Sequence, residues 1–127
     1  MNYGYKKEVS LTFEKALEKT KSELAAEGFG VLAEINIKKA LKKKINVDYE
    51  NYVILGACNP SFAYEALKAE REIGLLLPCN VVIFEEGSKV FVSAVLPTAA
   101  LGIVDNAALG EIALKVEEKL KRVVDSI

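Results

Sequence analysis

The sequence predicts an α+β domain, in which a single sheet of about five strands carries helices packed mainly on one face. Segments with strand and helix patterns follow one another as strand, helix, strand, short helix, strand, helix, strand pair and helix. The chain has 127 residues, of which 51% are hydrophobic and 28% are charged, the profile of one globular unit. Because no internal repeat or low-complexity linker divides the chain, residues 1–127 are predicted to form a single domain.

The first strand and the first helix are predicted near the N-terminus. Residues 2–9 alternate loosely between apolar and polar side chains, which favours a strand. Ser10 or Thr12 can then cap a helix, and Gly28 can supply the left-handed residue that ends it. The face that this helix would bury carries residues at three- and four-residue spacing: Phe13, Ala16, Leu17, Thr20 and Leu24.

A second strand and a short basic helix come next. Residues 29–37 are predicted to form the strand and residues 37–45 the helix, and residues 46–50 connect this helix to the next strand. The outer face of the helix carries a cluster of lysines: Lys38, Lys39, Lys42, Lys43 and Lys44. A solvated helix face is favoured here over a site for an anionic ligand or partner.

The third strand and the third helix carry the clearest signals. Residues 52–57 form an apolar run of strand length, and Asn59 and Pro60 are typical of the N-cap and first position of a helix. This helix is predicted to end near Glu70. One of its faces points inward with apolar side chains: Phe62, Ala66 and Leu67.

A β-hairpin follows, with strands over residues 79–85 and 89–95 joined by a short loop that contains glycine. Both alternating sets of side chains in this hairpin are apolar, so both faces of the sheet need to be covered. About three helices can cover one face, which leaves the other for a partner subunit. A homodimer is therefore expected, and the alternative is a strand pair covered on both faces within one subunit.

The C-terminal part of the chain is predicted to be helical. Residues 97–104 can hold a helical turn, and Asp105 or Asn106 can cap a last helix. The buried stripe of that helix consists of Leu109, Ile112, Ala113, Val116, Leu120, Val123 and Val124.

Composition excludes several classes of function. The chain contains no histidine, which removes the usual general base at neutral pH and the histidine of catalytic triads. Its 17 basic and 18 acidic side chains give a net charge of −1, so nucleic acid is not predicted as a partner. No apolar segment is long enough to span a membrane, and residues 1–7 lack the apolar core of a signal peptide. A cytoplasmic location with free thiols is expected.

The sequence identifies no cofactor, since it contains no P-loop, nucleophile elbow or GxGxxG loop. No metal site is predicted, and zinc is disfavoured because histidine and a CxxC spacing are both absent. Cys58 and Cys79 remain candidates for a two-sulfur site for a soft ion such as Cu(I). The charged residues are mostly Lys and Glu, with Arg71 and Arg122 as the two arginines, a bias found in proteins from heat-adapted sources.

The two cysteines are the main candidates for chemistry. Cys58 immediately precedes the predicted start of a helix, where the helix dipole favours an anion, so its thiol is a candidate nucleophile with a lowered pKa. The alternative is that Cys58 is a small buried hydrophobe. A ligand pocket at this turn would use a compact set of residues: Cys58, Asn59, Tyr64, Cys79 and Asn80.

Whether the two thiols meet depends on how the strands that carry them run. A parallel crossover would separate the thiols by a strand length of about 20 Å. A connector over residues 71–78 that returns along the helix would instead start an antiparallel strand beside Cys58. The sequence leaves both arrangements open, and only the second gives a thiol pair.

Several segments resemble the family known as domain of unknown function 302. They are YVILGACNP at 52–60, AYEAL at 63–67 and IGLLLPCNVV at 73–82, with shorter matches in GFGV at 28–31 and VSAV at 92–95. The resemblance implies a small bacterial or archaeal protein with a sheet-and-helix fold like that of the TATA-binding protein, often dimeric, and it implies no activity. Members tend to carry a methionine soon after the last motif, whereas residues 96–101 contain none, so no thioether ligand is predicted there.

Three hypotheses about function follow. The first is a small homodimeric binding module whose pocket at the Cys58 turn accepts a small ligand, a soft metal or a sulfur species. The second is a thiol-based redox or sulfur-transfer enzyme, in which Cys58 is the nucleophile and Cys79 the resolving thiol. The third is a structural or interaction domain whose thiols are inert.

Overall fold

The computed structural model describes residues 2–127, which form one five-stranded antiparallel sheet with helices, so the predicted α+β class is confirmed. The strands are β1 (Gly4–Val9), β2 (Gly30–Asn36), β3 (Tyr52–Cys58), β4 (Cys79–Glu86) and β5 (Lys89–Val95). The helices are α1 (Phe13–Ala26), α2 (Ile37–Ile45), α3 (Pro60–Ala69), α4 (Pro97–Ala100) and α5 (Ala107–Asp125), with short 3₁₀ helices over Arg71–Leu76 and Leu101–Ile103. The elements follow the predicted order, and the 3₁₀ helix at 71–76 lies where the sequence indicated only a connector.

The strand order β1-β5-β4-β3-β2 settles how the two cysteine-bearing strands run. β3 and β4 are antiparallel neighbours, and Ala57 lies directly opposite Cys79. The chain therefore returns along α3 in residues 70–78 and does not make a parallel crossover. Both cysteines lie at the same end of the sheet as a result.

The inner face of the sheet forms the core together with α1 and α5. Alternating residues of the three central strands are buried there: Val53, Leu55, Ala57, Val81, Ile83, Val90, Val92 and Ala94. α3 packs beside α5, and a second, smaller cluster fills the space between them: Ala66, Ile73, Leu101, Leu109 and Ala113. The helices thus cover mainly one face of the sheet, as predicted.

The helix ends show which of the predicted caps are used. Thr12 Oγ1 accepts a hydrogen bond from the amide of Lys15 at 3.2 Å, so Thr12 and not Ser10 caps α1. Asn106 Oδ1 accepts from the amide of Ala108 at 3.0 Å and caps α5. Gly28 has φ +86°, the left-handed conformation predicted for the residue that ends α1.

The outer face of the sheet is apolar at its centre. Tyr52, Phe84 and Phe91 stack across three adjacent strands, with ring centroids 5.5 and 5.3 Å apart. Ile35 on β2 is 47% exposed. α2 contacts β2 and β3 but buries none of its own residues. Much of this face is therefore uncovered within one chain.

The close packing of Pro78 on Gly56 gives a testable prediction. A Cβ atom at Gly56 would lie 3.0 Å from Pro78 Cγ and 3.4 Å from Ala33 Cβ. Gly56→Ala is therefore expected to lower the free energy of unfolding by about 1 to 3 kcal/mol, measured by urea denaturation followed by circular dichroism. Gly110→Ala is the matched control, because a Cβ there meets nothing within 4 Å and lies in α5. The free energy of unfolding of this control is expected to rise by up to about 1 kcal/mol, because alanine favours a helix more than glycine does. Similar changes in the two variants would contradict this packing.

Candidate functional site

A cavity of about 280 Å³ lies where β3 ends and β4 begins. Cys58 is the last residue of β3, Cys79 is the first residue of β4, and both line the cavity. α3 forms a second wall, α5 and the start of α4 form a third, and Leu77 and Pro78 close the side next to β4. The cavity is partly open to solvent, so a ligand has a route into it.

The wall of the cavity is almost entirely apolar. Within residues 2–127, no charged side chain lines it, and the only polar side chains that do are those of Cys58, Asn59 and Cys79. The remaining residues are aliphatic or phenylalanine, with proline at two positions. Such a wall favours an apolar ligand, because a charge placed there would lose its hydration without gaining a partner.

Three alanines explain why the space is not filled by the protein itself. Ala57 on β3 and Ala63 and Ala66 on α3 all line the cavity. Ala57 and Ala66 are buried. Protein interiors are normally close-packed, so short side chains at three adjoining wall positions leave room that larger residues would occupy.

Asn59 has a different role from the one predicted. It occupies the N-cap position of α3, with Pro60 following as the first helical residue, but its side chain makes no capping hydrogen bond. Asn59 Nδ2 instead donates to the carbonyl oxygen of Glu27 at 3.3 Å. This bond ties the turn after α1 to the turn after β3 and fixes one edge of the cavity. Gly28 belongs to the same arrangement, since a Cβ there would lie 3.2 Å from Asn59 Nδ2.

Cys79 is a protonated thiol at neutral pH. It is partly buried and packs against the hydrophobic core. Burial, and secondarily the nearby Cys58, raises the pKa of the Cys79 thiol to about 11. Neither cysteine takes part in a disulfide. The reactive Cys58 stays a prediction, and the antiparallel pairing of β3 and β4 supplies the neighbouring thiol that it would need.

The structure brings most of the predicted site residues together. Cys58, Asn59 and Cys79 line the cavity, and Asn80 lines a second, adjoining cavity of about 200 Å³. Tyr64 is not among the residues that line either of these two cavities. It is exposed on α3, and Lys68 Nζ lies 4.6 Å from the centroid of its ring.

Two residues at the rim of the cavity were not predicted as site residues, although the sequence placed Leu67 on the inward face of its helix. Leu32 on β2 and Leu67 on α3 line the cavity while being 70% and 44% exposed. Leu32 lies at an irregularity of β2, where the pairing with β3 shifts register between Val31 and Ala33. The sequence of residues 29–37 predicted a strand but gave no signal for this register shift, because a bulge depends on the partner strand.

Among residues 2–127, no three or more His, Cys, Asp or Glu side chains lie close enough together to hold a metal ion. A soft ion at this site would therefore have to be held by the two thiols alone. In the same range no helix is long and apolar enough to cross a membrane.

Comparison with known proteins places the chain in a family. The model of the family described as "domain of unknown function DUF302" matches residues 5–127. A crystal structure of the uncharacterized conserved protein DUF302 from Bacillus stearothermophilus superposes with a TM-score of 0.93 at 30% sequence identity, covering 99% of this chain and 98% of that one. No curated protein matches the sequence. The family match over nearly the whole chain, together with the shared fold, shows that this protein belongs to the DUF302 family.

Proposed function

We propose that the protein is a small binding module whose cavity at the Cys58 turn takes a small apolar ligand. The observation that carries this proposal is a cavity of about 280 Å³ whose wall has no charged side chain. An apolar cavity of about 150 Å³ is sufficient to bind benzene in another protein. The cavity described here is therefore large enough for a ligand of more than one ring or a short chain.

The energetic cost of the cavity supports the same proposal. Removing packing from a protein interior costs about 24 cal/mol per Å³ of void, so an enclosed space of 280 Å³ would cost on the order of 7 kcal/mol. That figure is an upper bound because the cavity is partly open. It is nevertheless comparable with the net stability of a typical domain, about 5 to 15 kcal/mol. A ligand that fills the space recovers much of this loss.

The thiols add polarizable groups to an apolar wall. A protonated thiol behaves as a small, soft hydrophobe that contacts apolar ligands and sulfur species favourably. The thiol-enzyme alternative requires Cys79 to act as a resolving thiolate, and its raised pKa gives that role no support. A binding function is accordingly the better-supported one, and it leaves Cys58 and Cys79 as contact residues for the ligand.

A homodimer formed through the outer face of the sheet is the second part of the proposal. Three stacked aromatic rings and the exposed Ile35 form an apolar surface that the helices of one chain leave open. A second copy presents the same surface, and an apolar patch is complementary to its own copy across a two-fold axis. This arrangement keeps the cavity, on the inner side of the sheet, open to solvent.

Blocking the cavity tests the binding function. Naphthalene is expected to raise the midpoint of thermal unfolding of the wild type by several degrees, because a ligand that binds only the folded state stabilises it. Ala66→Phe and, at a less buried wall position, Ala63→Leu are expected to abolish the shift by filling the space. Ala108 is exposed on α5, so Ala108→Phe is the matched control and is expected to retain the shift in the unfolding midpoint. An unchanged shift in folded Ala66→Phe and Ala63→Leu would contradict binding in the cavity.

The buried thiol of Cys79 gives a pH-dependent prediction. A thiol in the unfolded chain titrates near pH 9, whereas Cys79 in the folded protein titrates at about 11. Between these values the unfolded state loses a proton that the folded state keeps, so stability falls as the pH rises. The difference in unfolding free energy between wild type and Cys79→Ala is expected to shrink by about 2 kcal/mol from pH 8.5 to 11.5. Cys58→Ala serves as the control that retains this dependence, and a pH-independent difference for Cys79→Ala would exclude the raised pKa.

The proposed dimer is tested by placing a charge on its interface. Ile35→Lys is expected to convert the dimer to a monomer in size-exclusion chromatography with light scattering, because a lysine would have to be desolvated at the interface. Leu114→Lys, which replaces a 56% exposed leucine on α5, is expected to remain dimeric. A wild-type protein that is monomeric at about 100 µM would overturn the dimer.

A further inference from the structure

We infer, on the basis of the proposed binding function, that the ligand carries a hydrocarbon chain that enters between Leu32 and Leu67 and extends inward to the buried part of the wall at Ala57 and Ala66. The polar end of such an amphiphile stays in water at the mouth of the cavity. This inference rests on the exposed rim, on the chemistry of the wall and on the size of the cavity.

The rim provides the first argument. Leu32 is 70% exposed although it lines the cavity, and Leu67 is 44% exposed on the facing helix. The register shift of β2 places Leu32 in the irregular segment between Val31 and Ala33. Bulges are common beside functional sites, where they redirect a side chain. An apolar chain passing between the two leucines would remove both from water, which a compact ligand held wholly inside the cavity would not do.

The wall provides the second argument, because it has no charged partner for a polar head group. No charged side chain lines the cavity. One N–H of the Asn59 amide donates to the carbonyl oxygen of Glu27 at 3.3 Å, which holds this side chain at the edge of the cavity. Cys79, another residue of the wall, offers a protonated thiol. A charged or strongly hydrated group is stable only outside the cavity, so the end of the ligand that goes in is hydrocarbon.

The volume sets the length of the chain that the cavity can hold. Benzene, with six carbons, fits an apolar cavity of about 150 Å³, so 280 Å³ corresponds to roughly ten carbon atoms. Transfer of each methylene from water to an apolar site contributes a constant increment that corresponds to about a fourfold gain in affinity. A chain that fills the cavity should show this gain only up to the length at which its end reaches the inner wall.

Isothermal titration calorimetry with 1-alkanols of six to fourteen carbons tests the inference. Affinity is expected to rise about fourfold per methylene and to level off near ten carbons. Leu32→Ser and Leu67→Ser are expected to weaken binding of 1-hexanol and of 1-decanol alike, by about five- to tenfold, because every chain passes between the two leucines while its hydroxyl stays in water. Leu114→Ser, on an exposed part of α5 away from the cavity, is the matched control.

The outcomes separate this inference from the proposed function. An affinity that is independent of chain length, or rim variants that bind 1-decanol as wild type does, would overturn the hydrocarbon chain. If naphthalene still binds in the cavity in that case, the binding function stands and only its ligand class is wrong. If neither naphthalene nor any alkanol binds, both the inference and the proposed function fail.

Discussion

The antiparallel pairing of β3 with β4 is the constraint on which the candidate site depends. It sets Ala57 opposite Cys79 and so brings both thiols to one end of the sheet. The chain between these strands must return over the length of α3, which explains the 3₁₀ helix at Arg71–Leu76 and the close contact of Pro78 with Gly56. Leu77 and Pro78, delivered by that return, form one wall of the cavity, and α3 forms the facing wall.

The cavity follows from the way three helices cover one face of a five-stranded sheet. α1 and α5 pack on the central strands, whereas α3 packs beside α5 at the end of the sheet. Short side chains at Ala57, Ala63 and Ala66 leave the junction of these elements unfilled. The same one-sided covering leaves the aromatic stack of the outer face partly exposed. The binding and dimer proposals therefore arise from a single architectural feature and concern opposite sides of the sheet.

Much of the fold was predictable from the sequence, because periodicity and capping are local. Loose alternation specified β1, apolar runs of strand length specified β3 and the β4–β5 hairpin, and Gly28 and Pro60 marked helix ends that the structure confirms. The direction of β4 was not predictable, since a connector of suitable length permits either arrangement. Asn59 was expected to cap α3, but a tertiary partner, the Glu27 carbonyl, takes its side chain. The register shift of β2 at Leu32 and the cavity itself both depend on packing between distant segments. Neither produces a local pattern in the sequence.

The central claim is that an apolar cavity at the Cys58 end of the sheet binds a ligand. Methyl-resolved NMR during titration with 1-decanol tests this claim most directly. Binding in the cavity should shift the methyl signals of Leu67, Leu101, Ile112 and Val116, which line it from α3, α5 and the adjoining 3₁₀ helix. The methyl groups of Ile35 and Ile54, on the outer side of the sheet, should stay unchanged. Shifts confined to Ile35 and Ile54, with the cavity signals unmoved, would contradict the claim and assign ligand binding to the outer face.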